Sequence, residues 1–213
     1  MSKKIILAGS GGHARVLARL LEEYNLQITY LVSNDDQYKE SKNLSFLEKI
    51  DDDDIFDLRT DEVEIVNGIG SVPPNKNRFN FFNKFYEKGF SFKTLISKHA
   101  FVSEDSMIEE GVQILPGAVV QSGVVIGKNT IINTGALIDH DCRIGENNHV
   151  APGAVLSGNV RTDDYVHIGT NASIIQGISI GESSIIGAGV CAVKDVPSNH
   201  TLIPAKSHLK KNK

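Results

Sequence analysis

Several features are scarce in this chain of 213 residues, and each scarcity removes a class of explanation. Charge of one sign is scarce. Lys and Arg number 22 against 26 Asp and Glu, so there is no basic excess of the kind that holds nucleic acid. Long apolar runs are missing. The N-terminus, MSKKIILAGSGG, has a short apolar stretch stopped by glycine, which is neither a signal peptide nor a membrane span. A cytoplasmic protein with no membrane insertion is expected. Cysteine is scarce too. Cys142 and Cys191 are expected to stay reduced rather than form a bridge. There is no G-x-S-x-G elbow and neither cysteine has a catalytic context, which disfavours a covalent acyl-enzyme.

What is abundant is a period of six. From Val102, steps of six reach Ile108, Ile114, Val120 and so on to Ile186, and fourteen of these fifteen positions are aliphatic, Thr162 being the exception. Three residues further on, the same step runs from Asp105 to Gly189, and thirteen of fifteen positions are Gly, Asn or Asp. Those residues best tolerate positive φ. One periodic position wants an apolar interior and another a sharp corner. An α-helix would need a period of 3.6 and would be broken by so much glycine. The pattern predicts a solenoid of short strands, three hexads to a coil, in which each inward aliphatic stacks on the one 18 residues below. Val112, Ala118, Val124, Ala136 and Ala154 read as outward-facing apolar positions, which would be covered by other subunits.

Ahead of the repeat, Lys3–Ala8 reads as a buried strand, Gly9-Ser10-Gly11-Gly12-His13-Ala14 as a turn, and 15–24 as a helix with apolar Val16, Leu17, Leu20 and Leu21. Strand, glycine turn and helix together favour a bound phosphate: the backbone can come close, and the helix start offers free N–H groups. Ile28–Val32 reads as a second strand with Ser33, Asn34, Asp35 and Asp36 at its end, and 64–69 as a third, ending at Gly70. One such half domain suits a mononucleotide better than a dinucleotide. Asp51–Asp54 reads as a solvated loop, and the aromatic stripe Phe79, Phe82, Phe85, Tyr86 as core. The expected boundaries are 1–95 for a Rossmann-like nucleotide-binding domain, 96–198 for the β-helix and 199–213 for a C-terminal cap or tail.

A solenoid needs no histidine, yet the repeat carries His140, His149 and His167. The spacings of nine and eighteen lack the close pair used by zinc-binding β-helices, so no metal is expected. Histidine is the natural base near neutral pH.

The blocks GSGGHAR (9–15), VNGIGS (66–71), NTGALIDHDCRIG (133–145), HVAPGAVLSGNV (149–160), VCAVKDV (190–196) and PAK (204–206) resemble, in order and spacing, the sugar O-/N-acyltransferases of the sialic acid O-acetyltransferase type, which include UDP-4-amino-sugar N-acetyltransferases. The resemblance implies a left-handed parallel β-helix and a homotrimer with acetyl-CoA between subunits. It implies a nucleotide-sugar substrate, acetylated at the 4-amine of a UDP-linked amino sugar. It marks His140 as general base and Asp141 as its partner. It implies His149, Gly158, Thr170 and Ala188 for acetyl-CoA, and Gly11, Gly12, His13, Ser33, Asn34 and Gly70 for the sugar nucleotide. Alternatives within the class are O-acetylation of sialic acid and N-acetylation of a GDP-sugar such as perosamine. A rival of another class is a non-catalytic trimeric sensor of nucleotide sugars. The family usually has Asp-Asp directly after the second strand, where this chain reads Ser33-Asn34.

Overall fold

The computed structural model describes residues 3–33 and 48–204. The N-terminal part is a parallel sheet. Strands β1 (Lys4–Ala8), β2 (Ile28–Val32), β3 (Glu48–Ile50) and β4 (Val63–Asn67) lie in the order β3-β2-β1-β4. β3 has no counterpart in the sequence reading: three residues with alternating charge carry no strand signal of their own.

Helix α1 (Gly12–Glu23) crosses from β1 to β2 and buries Ala14, Leu17, Ala18, Leu20 and Leu21. Val16, expected on the apolar face, is exposed, because α1 packs along the Ala14–Leu17–Leu21 stripe. Helix α2 (Asn77–Tyr86) buries Phe82 and Phe85 as expected, with Tyr86 packed against them, but the third buried ring is Phe81; Phe79, expected in the core, is half-buried and meets Tyr165 of the solenoid edge-on at 4.7 Å. Asp51, Asp53 and Asp54 are exposed, as a solvated loop should be; the loop leads into a short 3-10 turn (Asp54–Asp57) that buries Ile55, and Asp52 pairs with Lys84 at 3.2 Å.

The solenoid then winds as three parallel sheets of seven, six and five two-residue strands. The first face runs from Leu95–Ile96 to Thr201–Leu202, the second from Phe101–Val102 to Cys191–Ala192, and the third from Met107–Ile108 to Ser179–Ile180. Every pairing joins residues one coil apart, such as Ile126 with Ile144 and Ile138 with Leu156. Strands thus begin at Leu95 and reach Leu202, beyond the stretch where the hexad pattern is unbroken. Of the fifteen corner positions, all but Asp105 have positive φ, including Tyr165 (φ 60) and Ser183 (φ 57), where the side chain gives no hint of it. Thr162, the one polar residue in the aliphatic column that starts at Val102, is buried with its hydroxyl accepting from Asn148 Nδ2 at 2.6 Å.

The placement of Val112, Ala118, Val124, Ala136 and Ala154 on outer faces is wrong. All five are fully buried in the solenoid core. Side chains alternate along a strand. The residue two before each inward aliphatic therefore also points inward, and the residue between them points out. The outward apolar column is Phe101, Val119, Leu137 and Val155 on the second face, none of them fully buried.

Candidate active site

Two groups of residues stand out, and they lie on different sides of the coil. The first is a cavity of about 660 Å³ at the C-terminal ends of β1 and β4. Gly9, Ser10, Gly11, Gly12 and His13 form one wall, Gly68, Ile69 and Gly70 another, and Ser33, Asp52, Asn80 and Lys84 complete it. Asn34 falls outside the described residues. The glycine that the turn demands is Gly9 (φ +93); an added Cβ there would also lie 3.0 Å from the Gly68 backbone. Gly12 has helical backbone and an added Cβ would meet only Arg15 Nη2, at 3.9 Å, so its role in the turn is to leave room rather than to permit an unusual φ. The helix cap, Gly11, makes no side-chain hydrogen bond, which leaves the first N–H groups of α1 to face a ligand.

His13 sits on the inner side of this cavity. Its Nε2 donates to Gln113 Oε1 at 2.7 Å, and Gln113 Nε2 donates to the Asn67 carbonyl at 2.8 Å. Burial, helped by the nearby Arg78 charge, lowers the His13 pKa to about 4. His149 lies on the first face of the solenoid. Its Nδ1 donates to the Ser71 carbonyl at 2.7 Å, its Nε2 accepts from Asn133 Nδ2 at 3.0 Å, and its ring meets His167 edge-on at 5.0 Å. Burial and the His167 ring hold its pKa near 3. Both imidazoles are therefore neutral at pH 7, and His149 has both nitrogens in use.

The second group is at the corner between the second and third faces. His140 Nδ1 lies 2.9 Å from Asp141 Oδ2, and the imidazole is half exposed (52%). The hydrogen bond to Asp141, with the Asp139 charge behind it, raises the His140 pKa above its ordinary value. With Nδ1–H held by the carboxylate, Nε2 is left as the basic nitrogen. Two glycines make this arrangement possible. An added Cβ at Gly158, one coil below, would come 2.5 Å from His140 Cε1, and one at Gly123, one coil above, 2.8 Å from Asp141 Oδ1.

PerB from Caulobacter crescentus, solved with CoA and GDP-perosamine, is 31% identical over 97% of this chain and 97% of its own, with a TM-score of 0.84. The acetyltransferase domain of PglB from Neisseria gonorrhoeae, solved with acetyl coenzyme A, is 32% identical over 94% of this chain and 96% of its own, with a TM-score of 0.82. The chain belongs to the PglD-type sugar acyltransferases. The PglD N-terminal domain family matches residues 4–85, and the bacterial transferase hexapeptide (six repeats) matches residues 105–140. WeeI from Acinetobacter baumannii shares the fold at 23% identity, over 95% of this chain and 97% of its own, with a TM-score of 0.82. No curated protein sequence matches. The solenoid is the left-handed β-helix of this family.

Within one acyltransferase chain the sequence-marked residues divide among three places. Gly11, Gly12, His13, Ser33 and Gly70 line the cavity. His140, Asp141 and Gly158 share the corner between the second and third faces. Thr170 and Ala188 are exposed on the corner between the first and second faces, with His149 on the first face itself. A three-sided coil has one corner that does not border the first face, and His140 is on it. The N-terminal part docks on the first face, through contacts such as His13–Gln113. Asp52, Asn77, Asn80 and Lys84 also line the cavity and were missed. For α2 the signal was present: Asn77, Asn80 and Lys84 recur at helical spacing, beside Phe81, which lines the same cavity. Among the described residues no group of three His, Cys, Asp or Glu side chains gathers as a metal site.

Proposed function

We propose that this protein is an acetyl-CoA-dependent N-acetyltransferase acting on the 4-amine of a nucleotide-linked amino-deoxy sugar, with His140 as general base. The observation that carries this reading is the His140–Asp141 pair. It is the one imidazole of the three discussed that keeps a free basic nitrogen, a raised pKa and access to solvent. PerB and the PglB domain, with their bound CoA, GDP-perosamine and acetyl coenzyme A, support the two substrates.

In this reading the neutral sugar amine attacks the thioester carbonyl, and its proton passes to His140 Nε2 as the tetrahedral intermediate forms. The Asp141 carboxylate steadies the imidazolium. Collapse breaks the C–S bond, and the thiolate takes the proton back from His140. Acetyl-CoA would be held by His149, Gly158, Thr170 and Ala188. Because His149, Thr170 and Ala188 lie away from the corner that carries His140 and Gly158 in one chain, the acetyl-CoA groove would be walled by two subunits of a homotrimer. The exposed column Phe101, Val119, Leu137 and Val155 supplies an apolar face for that contact. The sugar nucleotide would occupy the glycine-turn cavity. UDP is our first choice of nucleotide; the GDP-perosamine in PerB favours GDP as the second.

The test is thiol release from acetyl-CoA against a panel of UDP-, GDP- and CMP-linked amino sugars. Turnover with a 4-amino sugar is expected. Tight nucleotide-sugar binding without thiol release from any acceptor would instead identify a sensor.

A further inference from the structure

The wall of the sugar-nucleotide cavity formed by residues 67–70 has an unusual support behind it. Arg78, in the first turn of α2, is buried. Its Nη1 donates to the carbonyls of Asn67 (2.7 Å) and Ile69 (2.9 Å), and its Nε and Nη2 to the carbonyl of Asn129 on a solenoid corner (3.3 and 3.2 Å). The Asn67 side chain closes the same knot. It donates to the Arg78 carbonyl and to Asn129 Oδ1, both at 3.1 Å, and accepts from the Ile69 N–H at 3.3 Å. Among the described residues no carboxylate forms an ion pair with Arg78. Burial lowers its pKa to about 9, which still leaves it charged at neutral pH.

Two consequences follow from elementary geometry and electrostatics. In a trans peptide the C=O and the following N–H point in opposite directions. A guanidinium that holds the Ile69 carbonyl therefore turns the Gly70 N–H to the other side, away from itself, at a residue that lines the cavity. Burying a cation without a counter-charge is costly. A cation placed behind the wall of a cavity meets its missing counter-charge when an anion occupies that cavity. Arginine suits the position because three carbonyls in two directions need its planar fork; a lysine ammonium reaches fewer of them with worse geometry.

We infer that Arg78 is a positioning residue for the sugar nucleotide: it clamps the 67–70 loop to the solenoid in the shape, and with the charge behind it, that receives a nucleoside diphosphate. This rests on the proposed function for the identity of the cavity, and it assigns Arg78 no contact with substrate.

The experiment compares wild type with Arg78→Lys. UDP and GDP binding are measured by calorimetry, which needs no turnover, and steady-state kinetics follow with the accepted sugar. Affinity for the preferred nucleoside diphosphate should fall by about tenfold or more, because lysine keeps the charge but loses part of the charged hydrogen bonding that holds the three carbonyls. The sugar-nucleotide KM should rise by the same factor. The acetyl-CoA KM and kcat at saturation should stay within about threefold of wild type. If Arg78→Lys is too unstable to purify, Arg78→Gln, which keeps two N–H donors but not the charge, carries the same comparison. Unchanged diphosphate affinity overturns the inference. So does an equal rise in both KM values, the mark of general loosening, and so does wild type that binds neither UDP nor GDP. Wild type that binds a diphosphate but releases no thiol with any acceptor refutes the proposed activity alone. The affinity ratio then still decides the role of Arg78.

Discussion

One methyl group at position 158 is expected to separate catalysis from folding in this protein. In Gly158→Ala the new Cβ would stand 2.5 Å from His140 Cε1, 2.6 Å from Nε2 and 3.2 Å from Cδ2. Optimal carbon contacts lie at about 3.5–4.0 Å, so the ring must move by roughly an ångström or more. The backbone does not resist alanine, since Gly158 is not among the positive-φ residues. The imidazole is half exposed and has open solvent to swing into, so stability should change by only about 0.5 kcal/mol or less. Swinging out breaks the 2.9 Å bond to Asp141 and removes Nε2 from its place. A positioned general base contributes about 10²- to 10⁴-fold. We expect kcat to fall on the order of 10²-fold, with melting temperature and acetyl-CoA-independent assembly unchanged. The assay is thiol release with both substrates saturating, alongside thermal unfolding of the same preparation. If the effect runs through His140, the double variant Gly158→Ala/His140→Ala should be no slower than His140→Ala alone. A Gly158→Ala enzyme within about threefold of the wild-type kcat would refute the reasoning. So would a double variant slower by the product of the two losses.

Other expectations are briefer. His140→Ala should lose about 10²- to 10⁴-fold in kcat with little change in KM or melting temperature. Since the Asp141 bond raises the His140 pKa, the wild-type rate should climb with pH through an ionisation above 6.5, and Asp141→Asn should move that limb to lower pH; an unmoved pH profile in Asp141→Asn counts against the pair. Light scattering should give three times the chain mass of 23.2 kDa, and Leu137→Glu on the outward apolar column should yield monomers; a stable wild-type monomer at micromolar concentration refutes the shared groove. Below pH 6.5 the unfolded chain protonates His13 and His149, while the folded chain resists until about 4 and about 3. The unfolded state then binds more protons, so stability should fall as pH drops from 6.5 towards 4, by up to ~1.4 kcal/mol per pH unit for each ring. Equal urea midpoints at pH 7 and pH 5 would show that these imidazoles are not held neutral. Ser183→Asn, at a left-handed corner that serine tolerates poorly, should raise unfolding free energy by up to about 1 kcal/mol, read as a shift in urea midpoint.

Periodicity is a local property that repeats, so the sequence alone determined the solenoid. An aliphatic every six residues and a corner-tolerant residue three later leave few other ways to bury the chain, and the corners follow the pattern closely enough that even Tyr165 and Ser183 adopt positive φ. The glycine turn at 9–13 and the adjacent pair His140–Asp141 were legible for the same reason: each is a few consecutive residues whose contacts need no distant partner. Only the tertiary structure decided the rest. Strand alternation placed Val112, Ala118, Val124, Ala136 and Ala154 inside, because the two-residue strands are too short to show a period of two in the sequence. The fates of the other histidines depended on contacts far along the chain. His149 is used up by Ser71 and Asn133, and His13 by Gln113, a hundred residues away. Asp52 looked like part of a solvated acidic run until Lys84, from α2, came beside it. Arg78 looked like the start of a helix and proved to be a buried clamp, because the three carbonyls it binds come from two segments that only folding brings together.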